Sequence, residues 1–337
     1  MRRRAFLTVC TAVTAGTAGC TAPSSSGVTR RRVGIDGTEV LAKDYDLLKV
    51  GYWDRPQWFQ SPYSRREEPI AADAVAEWAD ISMAEIGEET GHHPLRTLRN
   101  LGSLADSYRL SEEDALLSKA TSITDELLEN YTTESNDAYF FNYGFDHSLK
   151  TEYTRTAPWF SCMAQGTGLA AFLRWYELTG DSKWLDHARK TYRSMVGLRR
   201  NNPDEWVTYE KDDYLWLSEY PEPGTTMRVL NGFVIGLWGP YEYWVVTEDS
   251  RAKEFVQAAM TTLEAHAMDW RNEGDTSYYD LSSGDLAPEH YHTLHVFQFY
   301  QLSKLSREPY FATVLQAFLE DRPDLDWIYC EDLSTCK

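Results

Sequence analysis

Between Tyr278 and His295 the stretch YYDLSSGDLAPEHYHTLH holds three tyrosines and three of the chain's eight histidines. Upstream, SEYPEP places Glu219 beside Tyr220. Phenols, imidazoles and carboxylates gathered this way are groups that move protons and hold anions. The groups of interest are Glu219 with Tyr220, Tyr279 with Asp280, and Tyr291 with His292 and His295. A phenol with an ordinary pKa near 10 is a poor base at neutral pH and needs a cation or hydrogen-bond donors to lower it. Arg228, His292 and His295 are the candidates for that help, and for neutralising an acidic substrate.

These residues can meet only if the elements around them bring them together. After about residue 70 the pattern is helical, and one layout recurs: an apolar helix ending in an aromatic residue, a polar turn, then an amphipathic helix. LADSYRLSEEDALLSKA, LRWYELTGDSKWLDHARKTY, YEYWVVTEDSRAKEFVQAA and FYQLSKLSREPYFATVLQA share it. Their tyrosines, Tyr108, Tyr176, Tyr243 and Tyr300, are spaced 176−108 = 68, 243−176 = 67 and 300−243 = 57 residues apart, which marks a repeated helical hairpin. Ser111 and Asp181 are placed to cap the second helices. Such hairpins stack as a solenoid or close as an α/α toroid, and closure leaves fewer faces exposed. The expected fold class is therefore mainly α, an α/α toroid spanning 70–337. A short β-hairpin and extended region precedes it over 31–69, with its turn at Asp36-Gly37. Three long aromatic loops, 139–159, 206–227 and 275–290, each return from an outer helix to an inner one. They should meet on one rim and form a single cleft.

The motifs at that rim resemble the C-terminal domain of D-glucuronyl C5-epimerases. WFSCMAQGTGLAAFLRWYELTGD, SEYPEP followed by VLNGFVIGLWGPYE, YYDL and YHTLHVFQ occur in the family's order and rough spacing, covering about Asn142 to Leu302. The resemblance implies an α/α-barrel catalytic domain with essential tyrosines falling on Tyr220, Tyr279 and Tyr291, and an activity that inverts carbon 5 of glucuronate within a polysaccharide to give iduronate. Asn231 is similar to a family position near the sugar, and Gln165 in MAQG is a further candidate for touching it. Glu219, Arg228, His292 and His295 complete the expected binding set.

Epimerisation at that carbon needs two acid/base groups across a flat, enolate-like intermediate. Tyr220 and Tyr291 are expected on opposite faces, with Tyr279 orienting or relaying. The chain departs from the family in carrying Ser282 where an arginine commonly follows YDL, in a shortened approach to YHTLH, and in a β portion cut to some forty residues. A polysaccharide lyase would share the first carbanion, an inverting hydrolase could draw on Glu219, Asp280 and Glu289, and a non-catalytic glycan-binding lipoprotein would keep only the cleft.

The first residues read as an address. Arg2, Arg3 and Arg4 precede a short Thr/Ala/Gly-rich run ending in TAGC, so 1–20 resembles a twin-arginine lipoprotein signal, Cys20 its lipidated cysteine, and 21–30 a flexible tether. The expected location is the outer face of the cytoplasmic membrane. A formal net charge of −19 argues against nucleic acid as a partner, since few cations could meet a run of phosphates, and fits a surface kept soluble in high salt, as in a halophilic archaeon. The expected partners are a uronate-bearing glycan and, through the anchor, a membrane; a homodimer is left open. Cys330 and Cys336 are placed to pair or to remain thiols, and Cys162 reads as a core residue. No cofactor or metal ligand set is expected: the spacing of His290, His292 and His295 is not that of a zinc helix, and His92-His93 reads as an exposed loop.

Overall fold

The computed structural model describes residues 30–56, 68–86, 89–148, 154–222 and 226–325. The expectations for Cys20, Cys330 and Cys336 lie outside them. Within them, four helical hairpins follow one another. Their first helices are α2 (Pro94–Ser111), α4 (Cys162–Thr179), α6 (Leu230–Thr247) and α8 (Glu289–Ser306), and their second helices are α3 (Asp114–Asn130), α5 (Ser182–Val196), α7 (Ser250–His266) and α9 (Pro309–Asp321). One further short helix, α1 (Ala72–Ala76), packs on α3. The first helices lie side by side, α2 on α4, α4 on α6 and α6 on α8, and each is backed by its own second helix. The architecture is an α/α toroid.

Sequence explains the two layers. Every residue of α4 from Cys162 to Trp175 and of α6 from Leu230 to Trp244 is buried, as expected of helices that are apolar nearly all round. The outer α5 buries only one face, through Trp184, Ala188, Tyr192 and Met195. Asp181 caps α5 by accepting from the Lys183 N–H at 3.0 Å, and Asp249 caps α7 through Arg251 at 2.7 Å. Ser111 is not the cap expected for α3: it ends α2, and Glu113 takes the cap position without a side-chain bond. All four inner helices stop at a residue with positive φ, namely Glu112, Gly180, Glu248 and Arg307. The repeat therefore extends to backbone conformation. Tyr108, Tyr176, Tyr243 and Tyr300 pack against the core near these ends.

Where α4 crosses α6 the two backbones touch. A Cβ added to Gly166 would lie 2.5 Å from the carbonyl oxygen of Gly236, and one on Gly239 would lie 2.4 Å from that of Gly166. No side chain fits between them.

Between the helices run six antiparallel hairpins: β1 (Arg31–Ile35) with β2 (Thr38–Ala42), β3 (Met83–Ile86) with β4 (Glu89–His92), β5 (Thr132–Ser135) with β6 (Ala138–Phe141), β7 (His147–Ser148) with β8 (Thr154–Arg155), β9 (Thr208–Lys211) with β10 (Tyr214–Leu217), and β11 (Tyr278–Asp280) with β12 (Asp285–Leu286). Asp36 and Gly37 turn β1 into β2, both at positive φ.

From β2 the chain crosses the C-terminal ends of the inner helices. Lys43 Nζ meets Glu264 at 3.0 Å and Glu308 at 2.6 Å. The Leu48 N–H donates to Leu305 O and the Leu48 carbonyl accepts from the Tyr241 hydroxyl, both at 2.8 Å. Tyr52 donates to Asp106 at 2.8 Å. Arg55 reaches Glu177 at 2.7 Å and Glu242 at 3.3 Å, and Arg174 meets Glu242 at 2.7 Å. Residues 43–55 thus plug that end of the toroid and leave the other end to the loops. Among the described residues no helix is long and apolar enough to cross a membrane.

The seam between α4 and α6 can be tested directly. Gly166→Ala must push the helices apart and should cost about 1–3 kcal/mol, read as a lower urea midpoint. Gly34→Ala, where nothing lies within 4 Å, should not. Equal midpoints for the two variants would show that the close approach carries no such weight.

Candidate active site

At the open end the three aromatic loops do converge. Beside them is a cleft of about 330 Å³, lined by Tyr143, His147 and Trp159 from the first loop, Glu219 and Tyr220 from the second, and Tyr291 from α8, just past the third. The first loop supplies a wall of stacked rings. Trp159 lies 3.9 Å from Tyr143, and His147 lies 5.9 Å from Trp159 and 5.7 Å from Tyr220. Arg155 ties this wall to the second loop, donating to the Tyr220 carbonyl at 2.8 Å and to Glu222 at 2.6 Å.

Glu219 is set by the helix seam. Ser218 bridges to both sides, its N–H to Val207 O at 2.8 Å and its carbonyl from the Cys162 N–H at 2.9 Å. The next residue is thereby held over the first turn of α6. A Cβ on Gly232 would come within 2.1 Å of Glu219 Oε2 and 2.6 Å of Glu219 Cβ, so the absence of a side chain at 232 makes the carboxylate's place. Cys162, buried as expected, donates from Sγ to Gly232 O at 3.3 Å.

The phenols form a row. Tyr279 OH stands 3.4 Å from Tyr220 OH and 3.4 Å from Glu219 Oε1, and the Tyr279 and Tyr291 ring centres are 5.3 Å apart. Asp280 aims Tyr279 from behind. Fully buried, it accepts from the Arg228 N–H at 2.5 Å and the Ser283 N–H at 2.7 Å. Its oxygens are occupied in folding the loop, which removes it from any catalytic carboxylate pair.

Burial decides the protonation of these groups. It pushes the Glu219 carboxyl up to about 7, against the hydrogen-bonding phenols of Tyr220 and Tyr279. It also raises Tyr220, Tyr279 and Tyr291, and the nearby Glu219 charge raises them further. The expectation of a tyrosine turned base by a neighbouring cation is therefore corrected: the surroundings hold all three as phenols, which donate. Glu219, expected to bind, is the group whose affinity for a proton suits a base near neutrality.

Several expected binding residues lie elsewhere. Gln165 is fully buried, its Oε1 accepting from the Phe141 N–H at 2.9 Å and its Nε2 donating to Tyr139 O at 2.5 Å. It fastens β6 to α4 and has no face toward a sugar. His292 accepts from the Ser277 N–H at 2.9 Å and, through Nε2, donates to Phe318 O at 3.1 Å. His295 meets Ser277 Oγ at 2.8 Å and is held down at about 3 by burial. Both rings are neutral braces for the strand carrying Tyr279, so neither can neutralise a carboxylate. Arg228 lies over Trp216, 5.4 Å from the ring centre, and lines a different groove. Asn231 remains beside the site, in the first turn of α6 next to Gly232, with its side-chain oxygen buried and without a partner among the described residues.

The cations that do face the cleft are Arg96 and Arg99 of α2, beside His93, which burial and Arg96 lower to about 4 and so keep neutral. Burial and the adjacent Arg96 lower the Arg99 pKa. The signal lay in PLRTLRN, two arginines three apart on one face of the first turns of an inner helix. His92-His93, expected to be exposed, is not: His92 is buried, with its ring on Asn142 O at 2.8 Å and Thr97 Oγ1 at 3.1 Å.

The buried imidazoles give stability a pH dependence. His295 sits at about 3 and His92 at about 4 in the fold, against 6.5 when exposed. The unfolded chain therefore binds the extra protons, and this stability is fully present above 6.5 and lost progressively as pH falls below it. The urea midpoint should fall between pH 6.5 and about 4, and His295→Gln should flatten part of that slope. An unchanged slope in the variant would mean that His295 is not held neutral by the fold.

Residues 134–320, more than half of the chain, match the model of the D-glucuronyl C5-epimerase C-terminus. The uncharacterized protein MJ1128 of Methanocaldococcus jannaschii is 26% identical over 163 residues, 47% of this chain and 50% of that protein. The chain thus spans about half the length of the curated relative it matches. Among solved structures, cellobiose 2-epimerase from Spirochaeta thermophila DSM 6192 aligns with a TM-score of 0.47 at 12% identity, covering 68% of this chain and 58% of that one. Cellobiose 2-epimerase from Bacillus thermoamylovorans B4167 aligns at 0.46 and 14%, covering 69% and 61%. The family match extends from β5 to α9 and takes in Glu219 and all three cleft tyrosines, and by it the chain belongs to the D-glucuronyl C5-epimerase C-terminus family.

Proposed function

We propose that the protein is a carbohydrate epimerase that inverts carbon 5 of D-glucuronate residues within a polysaccharide, giving L-iduronate. The observation that carries this reading is Glu219, a buried carboxyl near neutrality, in one row with three phenols and across the cleft from two arginines. In the proposed reaction the Glu219 carboxylate takes the proton from carbon 5. The electron pair moves into the substrate carboxylate, and Arg96 and Arg99 stabilise the charge that develops there. In the same reading Tyr291 returns a proton to the opposite face of carbon 5 and regains one from solvent, to which Glu219 gives up the proton it took. Tyr220 and Tyr279 orient Glu219 and hold its hydrogen bonds as its charge changes. The Tyr143–Trp159–His147 wall offers a flat apolar surface for the sugar.

We place the enzyme outside the cell, exported through its arginine-rich leader and tethered by lipid on Cys20. This rests on residues 1–27 of the sequence.

The test is proton NMR in deuterium oxide with the full chain and a glucuronate-containing oligosaccharide. Deuterium entering carbon 5 together with iduronate signals is the expected result, while an unsaturated sugar would make the protein a lyase. Glu219→Gln and Tyr291→Phe should each slow exchange by about 100- to 10,000-fold. Because burial raises Glu219, its base form appears only as pH rises through about 7, and exchange should climb over that interval. A rate flat across it would remove Glu219 from the role of base.

A further inference from the structure

Over much of the surface, arginines face carboxylates: Arg31 with Asp44 and Glu254, Arg32 with Asp213, Arg271 with Asp321, Arg322 with Glu289 and Asp324. One groove breaks that pattern. With a volume of about 500 Å³, it is lined by Arg199, Arg228, Lys211, Tyr209 and Ser282, and it continues past Arg199 to Arg200. Among the described residues no carboxylate pairs with Arg200, Lys211 or Arg228. The one acid lining it, Glu210, accepts from the Asp213 N–H at 2.9 Å. Two of its guanidinium groups lie on indoles, Arg228 at 5.4 Å from the Trp216 ring centre and Arg199 at 5.1 Å from that of Trp206. Stacking orders a guanidinium and leaves its N–H edge for other partners; Arg199 Nη1 donates to Thr226 Oγ1 at 3.4 Å and Arg200 Nη1 to Thr38 Oγ1 at 3.3 Å. In a chain of net charge −19, four cations brought to one groove form a local reversal of sign, which attracts an anion selectively.

The groove shares a wall with the cleft. Along 226–229 the side chains alternate: Met227 and Val229 pack with Tyr220 and Tyr279, while Thr226 and Arg228 line the groove. On the opposite strand Tyr279 belongs to the phenol row, and just past the strand's end at Asp280 Leu281 and Ser282 line the groove. A polymer lying across the Glu219 site can therefore continue over this wall.

We propose that the groove formed by Arg199, Arg200, Lys211 and Arg228 is an accessory subsite for a second anionic sugar of the same polysaccharide, a unit bearing a carboxylate or sulfate. This rests on the reading of the cleft as a uronate site. A regularly charged chain that reaches both sites gains from the second contact as an intramolecular step, so affinity rises with oligosaccharide length. Part of that gain is electrostatic, and it shrinks as salt is added.

Calorimetry on the full chain tests this with a glucuronate disaccharide and an octasaccharide of alternating glucuronate and N-acetylhexosamine. The octasaccharide should bind more tightly at low salt. In Arg200→Gln/Lys211→Gln, both positions being exposed, its affinity should fall about tenfold while that of the disaccharide holds. Equal affinities for the two lengths in the unaltered protein, or a length gain that survives in the double variant, would overturn the proposal. The readout is binding, so a failure to exchange deuterium at carbon 5 would remove the epimerase reading and leave this comparison to stand or fall alone.

Discussion

The site depends on the contact between α4 and α6. Gly166, Gly236 and Gly239 let the two backbones meet without side chains between them. Packed interiors transmit small displacements, because they have no slack to absorb them. The contact fixes where α4 and α6 begin, and the residues at those starts, Cys162 and Gly232, fix Ser218 and Glu219. A side chain at the seam would move the carboxylate as well as loosen the fold.

Two carboxylates in the toroid show what surroundings do to one residue type. Glu242, fully buried at the plugged end, is met by the guanidinium groups of Arg174 and Arg55. Glu219, buried at the cleft, is hydrogen-bonded by phenols and, among the described residues, its Oε2 has no partner. Without a cation at hand its charged form loses favour, which brings its proton within reach of exchange near neutral pH. The arginines that could have neutralised it line the far side of the cleft, at α2. In the proposed mechanism that separation lets the substrate's own carboxylate take the cations.

Much of this was legible because it repeats or is local. The tyrosine spacing gave the hairpins, the long loops between hairpins gave the rim, and the order of SEYPEP, YYDL and YHTLH brought Tyr220, Tyr279 and Tyr291 to one place. Legibility stopped where a side chain's direction depends on distant packing. Gln165 and Asn231 stand near the starts of neighbouring inner helices, yet one meets β6 and the other the cleft edge, and nothing near either residue says which. His292 and His295 share a helix face, but that face turns to Ser277 and Phe318. Arg96 and Arg99 were hidden by their ordinary setting in an amphipathic helix. The plug formed by 43–55 has no period of its own, and the bonds that dock it run from Tyr52–Asp106, 54 residues apart, to Lys43–Glu308, 265 apart.

That last property governs how the protein is made. Synthesis delivers residues 43–55 ahead of all four hairpins; Tyr52 and Arg55 find Asp106 and Glu177 on the first two, but Glu242, Glu264, Leu305 and Glu308 lie on the last two. Until those emerge, Lys43 has neither of its carboxylates and Arg55 only one, and the end of the toroid stands open. Contacts between residues so far apart form late, because closing the long loop costs entropy before anything is gained. A segment made before the hairpins thus completes its contacts only at the end, and the ring is sealed when its final hairpin has left the ribosome.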